Sequence, residues 1–140
     1  KFDLILIKQT IHLLSFKRIK RLMNLSKKTL SKNGKIFILT LDPSKNEIPT
    51  FKLMKKKLLN SLKRDKMILN FIKKLYPHKQ SKFIYKVNII KMKYLEMLKK
   101  RYISTLLPLT EHELQTGINE INYKYKKNIK FNDKLICIIL

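Results

Sequence analysis

Glycine is nearly missing from this chain, with only Gly34 and Gly117 among 140 residues. A loop in which several close-set glycines let the backbone approach a phosphate or a cofactor cannot be built from it. Cysteine occurs once, as Cys137 inside the apolar run Leu135 to Leu140. That excludes an internal disulfide and a cysteine-based zinc site, and it reads as a packed core residue. His78 and His112 have no companions at metal-ligand spacing and read as surface residues, so no metal is expected. No apolar stretch approaches the roughly 18 residues of a membrane helix, and no signal-peptide pattern precedes one. The expectation is a soluble, cytoplasmic chain without membrane insertion.

Acidic residues are also scarce. Nine stand against 33 basic ones, a formal charge of +24. Such an excess points to nucleic acid, an anionic membrane or a ribosome. Two features weaken that reading. Only Arg18, Arg21, Arg64 and Arg101 are arginines, whereas base readout and bidentate phosphate contacts favour Arg. The lysines are also spread along the whole length, not gathered in a tail or block. The richness in Lys, Ile and Asn matches AT-rich codons, so genome bias is a sufficient source of the charge. Non-specific attraction to nucleic acid follows from it in either case.

At this length one globular domain with its own core is expected. Phe2 to Ile7 is an apolar run bracketing one aspartate, as in a parallel strand covered on both faces. It follows Lys1 directly, and a domain rarely opens on a central strand, so a partial chain is expected. Phe16 to Leu30 has the pattern of an amphipathic helix, ended by the turn signal Asn33-Gly34, and Lys35 to Leu41 reads as a second buried strand. Strand, helix and strand make a βαβ unit with parallel strands. Helical spacing recurs at Phe51 to Leu62 and again at Met67 to Leu75, stopped by Tyr76-Pro77-His78. Phe83 to Ile89 alternates like a strand with one wetter face. A helix is expected from Lys91 to Leu107. Thr110-Glu111-His112-Glu113 reads as a capping box opening another helix, and Ile129 to Leu140 reads as a last strand.

This order resembles the second half of the class I S-adenosylmethionine-dependent methyltransferases. Phe2 through Leu13, with Lys8-Gln9-Thr10-Ile11-His12 at its end, looks like that family's fourth strand and the turn after it. Leu30-Ser31-Lys32-Asn33-Gly34-Lys35-Ile36 looks like the turn before the fifth strand. Arg101 to Leu106, then Glu113 and Gly117-Ile118, then Phe131 to Ile136 resemble the closing segment of a small-molecule branch. The resemblance implies an α/β, Rossmann-like three-layer fold. This chain would supply about four strands of it, with the last antiparallel. The glycine-rich loop and the ribose-binding acidic residue are absent, so the half that holds most of the cofactor S-adenosyl-L-methionine is expected to be missing.

The implied roles follow. Lys8 and Gln9 would border the cofactor. His12 would act as general base for the acceptor, against the plainer reading of a histidine packed at the next helix. Arg101 and Ser104 would hold a small-molecule acceptor, against that of a solvated helix position. Two other readings stand beside this one: a basic nucleic-acid- or ribosome-associated protein, and a non-catalytic remnant that binds a partner.

Overall fold

A computed structural model describes residues 1–140. The fold is α/β, with one open four-stranded mixed sheet and four helices. The strands are β1 (Phe2–Lys8), β2 (Leu30–Leu41), β3 (Lys79–Ile90) and β4 (Asn128–Ile139). The helices are α1 (Phe16–Thr29), α2 (Lys52–Leu75), α3 (Lys91–Lys99) and α4 (Glu111–Lys124), and the sheet order is β1-β2-β4-β3. β1 and β2 are parallel, and β4 enters beside β2 antiparallel. Two compact units result: Lys1–Asn46 with Leu62–Ile84 and Lys134–Leu140, and Glu47–Ser61 with Tyr85–Asp133.

In the first unit, α1 crosses between two parallel strands. Ser15 caps it by accepting from the Arg18 amide, and the helix buries Ile19 and Met23 while its lysines and arginines stay exposed. These side chains meet Ile7 of β1, Ile36 and Ile38 of β2, Ile136 and Ile138 of β4, and Ile68, Leu69 and Ile72 of α2. Each such buried side chain contributes about 1.5–3 kcal/mol. The alternate face of β1 is different: Phe2, Leu4 and Leu6 are each more than half exposed. The expectation of a strand covered on both faces therefore fails for this sheet, because β1 occupies its end and only one of its faces meets a helix.

Asn33-Gly34 does not form the expected turn. The helix stops at Thr29, whose hydroxyl donates to the Leu25 and Ser26 carbonyls, and Leu30 is already extended. The extra residues are absorbed in a bulge: Phe2 pairs with Leu30, but Leu4 pairs with Lys35. Ser31 donates to Asp3 across it at 2.6 Å. A Cβ on Gly34 would lie 2.8 Å from the Phe2 carbonyl oxygen, so close strand approach is what requires glycine here.

The two helical patterns expected at 51–62 and 67–75 fuse into the single α2, since Lys63-Arg64-Asp65-Lys66 between them contains no breaker. In the second unit the helix expected to reach Leu107 ends at Lys99, and a 3-10 turn follows at Ser104–Leu106. Arg101, with φ 54°, ends the helix, and the Tyr102 amide after it donates to the Met97 carbonyl at 3.1 Å. Phe51 and Met54 pack there with Tyr94, Leu98, Leu114, Ile118 and Ile121. The Tyr94 hydroxyl donates to the Pro49 carbonyl at 2.6 Å, and burial raises its pKa. The capping box at Thr110 and Glu113 forms as expected. β3 is longer than expected and wet on both faces: Phe83, Ile84 and Tyr85 are all exposed.

Candidate functional site

Ligands of open α/β sheets sit beyond the carboxyl ends of the parallel strands. In the first unit that edge is built by Lys8 at the end of β1 with Gln9 and Thr10 after it, and by Thr40 and Leu41 at the end of β2 with Asp42 after it. The Gln9 amide donates to the Leu39 carbonyl at 2.8 Å, which extends the ladder by one residue. Gln9 itself is left-handed, with φ 50°. That conformation costs a non-glycine residue roughly 1–2 kcal/mol. It turns the chain sharply out of the strand, so Lys8, Gln9 and Thr10 are all exposed at the rim. Strain of this kind concentrates at ligand clamps.

The 3-10 turn Ile11–Leu13 comes next. It buries Ile11 and leaves His12 half-buried. β2 places Asp42 at the same edge, only 3 % exposed. Its Oδ1 accepts from the Ser44 amide at 2.9 Å and from the Ser44 hydroxyl at 2.6 Å, and its Oδ2 lies 3.7 Å from the Lys82 ammonium. Burial opposes the charge, but these partners outweigh it and hold the Asp42 carboxyl below the ordinary range. Asp42 thus stays ionised and anchors the loop.

α2 supplies a carboxylate that the sequence pattern hides. Asp65 lies on the helix stripe between Leu62 and Ile68 and is 5 % exposed, and its Oδ1 has no hydrogen-bond partner. Desolvation raises its pKa, while the charges of His12 and Arg64 pull it back. Arg64 donates to the Leu14 carbonyl at 3.3 Å and so fixes this turn of α2 beside the segment after β1. The signal was a lone aspartate interrupting an otherwise apolar i, i+3, i+7 row.

The structure therefore brings Lys8, Gln9 and His12 together at one edge. Arg101 and Ser104 belong to the second unit. There the Arg101 guanidinium donates to the carbonyls of Leu106 at 2.6 Å and Leu109 at 2.8 Å, and pairs with Glu111 at 3.0 Å. It stitches the α3–α4 connection, whereas Ser104 is exposed. An open groove of about 750 Å³ lies between α3 and α4, lined by Leu95, Glu96, Lys99, Gln115 and Asn119 among others. Its carboxylate, Glu96, pairs with Lys100 at 2.6 Å. No group of three His, Cys, Asp or Glu side chains forms a metal site, and no helix is long and apolar enough to cross a membrane. No protein-family model matches the chain, and no curated protein is similar to it in sequence.

Proposed function

We propose that this chain is the acceptor-side portion of a Rossmann-like, S-adenosylmethionine-dependent methyltransferase acting on a small molecule. The observation that carries this reading is the carboxyl edge of β1, where a strained Gln9 leaves Lys8 and Gln9 exposed with His12 one turn away. The parallel β1–β2 pair crossed by α1, and a last strand that enters antiparallel, support it. So does the uncovered apolar face of β1, which a further strand and helix would cover.

The residues present fit one end of the cofactor. The Lys8 ammonium matches the carboxylate of its methionine end, and the exposed rim of β1 lets the backbone border it. Nothing here matches its ribose or takes the place of a glycine cradle, so those parts must come from another stretch of polypeptide. The cofactor supplies an activated methyl group. His12 would hold and take up the acceptor's proton, and alignment of the acceptor at this edge would supply the rest of the rate.

Calorimetry tests this. This chain alone should give no measurable heat with S-adenosylmethionine, whereas the full-length gene product should bind it. In that product Lys8→Ala should weaken binding about tenfold, the loss of one charge-assisted contact of roughly 1.4 kcal/mol. A full-length product that binds no cofactor refutes the proposal. The nucleic-acid reading draws on the charge alone: exposed lysines stand on all four helices and all four strands, a distribution that marks no dedicated element.

A further inference from the structure

The groove between α3 and α4 lies wholly within the second unit. Its walls are two matching rows. Met92, Leu95, Glu96 and Lys99 of α3 stand at i, i+3, i+4 and i+7, and so do Gln115, Ile118, Asn119 and Asn122 of α4. That spacing puts each set on one helix face, over two turns or about 10 Å. Two helices that turn such rows toward a shared groove present two sides of a three-helix packing. Leu95 and Ile118 form the floor and are buried, whereas Ile90 and Met92, at the start of α3, are 64 % and 69 % exposed.

The polar groups of the groove are unevenly matched. Glu96 pairs with Lys100, one turn along the same helix, at 2.6 Å. Gln115 donates to Asn119 at 3.1 Å. Lys93 and Lys99 also line the groove, both exposed, and neither enters an ion pair. The groove therefore offers two unpaired cations, a row of neutral amides and an uncovered apolar end.

Three occupants match this poorly. A second copy carries a formal charge of +24, and the Glu111, Glu113 and Glu120 carboxylates of its α4 are held by Arg101, the Thr110 amide and the Lys52 amide. Small-molecule sites enclose most of their ligand, and this groove is open. A nucleic-acid strand would use the cations, but no aromatic ring lines the groove for a base to stack on.

We propose that the α3–α4 groove docks an acidic amphipathic helix of another protein. The apolar row of that helix sits on Ile90 and Met92 above the floor of Leu95 and Ile118. Its flanking carboxylates meet Lys93 and Lys99 on one side and the amides of Asn119 and Asn122 on the other. Nothing in this rests on the methyltransferase reading.

The test is an NMR titration of the whole nitrogen-15-labelled chain at physiological salt, where generic attraction is screened. The probe is a helical peptide of about 14 residues, with leucines at i, i+3 and i+7 and otherwise glutamate and alanine. A scrambled peptide of the same composition and an oligothymidylate of equal charge are the comparisons. The side-chain NH2 signals of Gln115, Asn119 and Asn122 report the groove directly. They should shift saturably with the amphipathic peptide and with neither comparison. Lys93→Glu with Lys99→Glu should weaken binding about tenfold, as two exposed ion pairs are reversed. Lys17→Glu with Lys20→Glu on α1 changes the net charge equally and should leave binding unchanged. Still amides, equal shifts with either comparison, or equal losses from the two double variants would each overturn the proposal.

Discussion

Gly117 sits on the buried face of α4, where an added Cβ would lie 2.4 Å from Cδ2 and Cε2 of Phe51 and 2.5 Å from its Cγ. Two effects of Gly117→Ala oppose each other. Alanine is better than glycine in a helix interior by about 1 kcal/mol. Forcing a methyl into a packed core costs about 1–3 kcal/mol. Ordinary carbon contacts fall at roughly 3.5–4.0 Å, so the overlap with the ring exceeds an ångström at three atoms. Phe51 is 2 % exposed and cannot swing aside into solvent. The cost therefore sits at the upper end, and the net loss should be about 2 kcal/mol, or roughly 7 °C in Tm for a chain of this size. Urea and thermal unfolding followed by circular dichroism would measure it. Phe51→Leu alone should cost about 1–2 kcal/mol. In the double variant the methyl enters the vacated space, and the losses should fall short of their sum by about 1 kcal/mol or more. A Gly117→Ala chain as stable as the parent, or an additive double variant, would refute this packing argument.

Gln9→Gly should stabilise the chain by about 1 kcal/mol in urea unfolding, because glycine adopts φ 50° without strain; no gain would mean that the left-handed turn is not strained. Thr110→Ala should cost about 1 kcal/mol through loss of the cap. The backbone amide of Thr110 holds the Glu113 carboxyl below its ordinary pKa, so the contribution of Glu113 is present above the ordinary glutamate range and lost as pH falls through the lowered value. Glu113→Gln should therefore flatten that part of the acid unfolding curve. The Asp65 pKa is raised, chiefly by desolvation, so the folded chain binds that proton more tightly than the unfolded one, and stability is lost as pH rises from about 3.9 through the raised value. Asp65→Asn should accordingly gain stability at pH 7 and gain almost none near pH 3, and a gain independent of pH would contradict the assignment. Binding to mixed-sequence DNA should fall steeply with salt and show no sequence preference, and a defined sequence that outcompetes random DNA at physiological salt would revive the nucleic-acid reading.

Local signals were legible where the chain's own neighbours decide the outcome. Thr110 marks a helix start because a side-chain oxygen three residues before an amide is all that capping needs, and α4 begins where it should. The parallel β1–β2 pair followed from an apolar run, an amphipathic helix and a second apolar run in that order. Asn33-Gly34 misled because the same dipeptide serves a turn or a bulge, and only the approach of the Phe2 carbonyl decides between them. The fused α2 escaped because two phases of apolar spacing join smoothly when nothing between them breaks a helix. At the candidate site, Lys8, Gln9 and His12 are close in sequence and could be named together. Asp65 lies 53 positions beyond His12, and no spacing rule connects them.

By itself, then, the sequence determined the order of most helical and extended segments, the apolar face of α1, the lone cysteine and the absence of a glycine cradle, all matters of composition and short-range period. The tertiary structure alone decided that β4 lies beside β2, that β1 ends the sheet with Phe2, Leu4 and Leu6 uncovered, that the Arg101 guanidinium is engaged by the Leu106 and Leu109 carbonyls, and that Arg64 of α2 reaches the Leu14 carbonyl after β1. Those are long-range juxtapositions, fixed by how apolar faces bury against one another, and no residue carries the address of a partner that far along the chain.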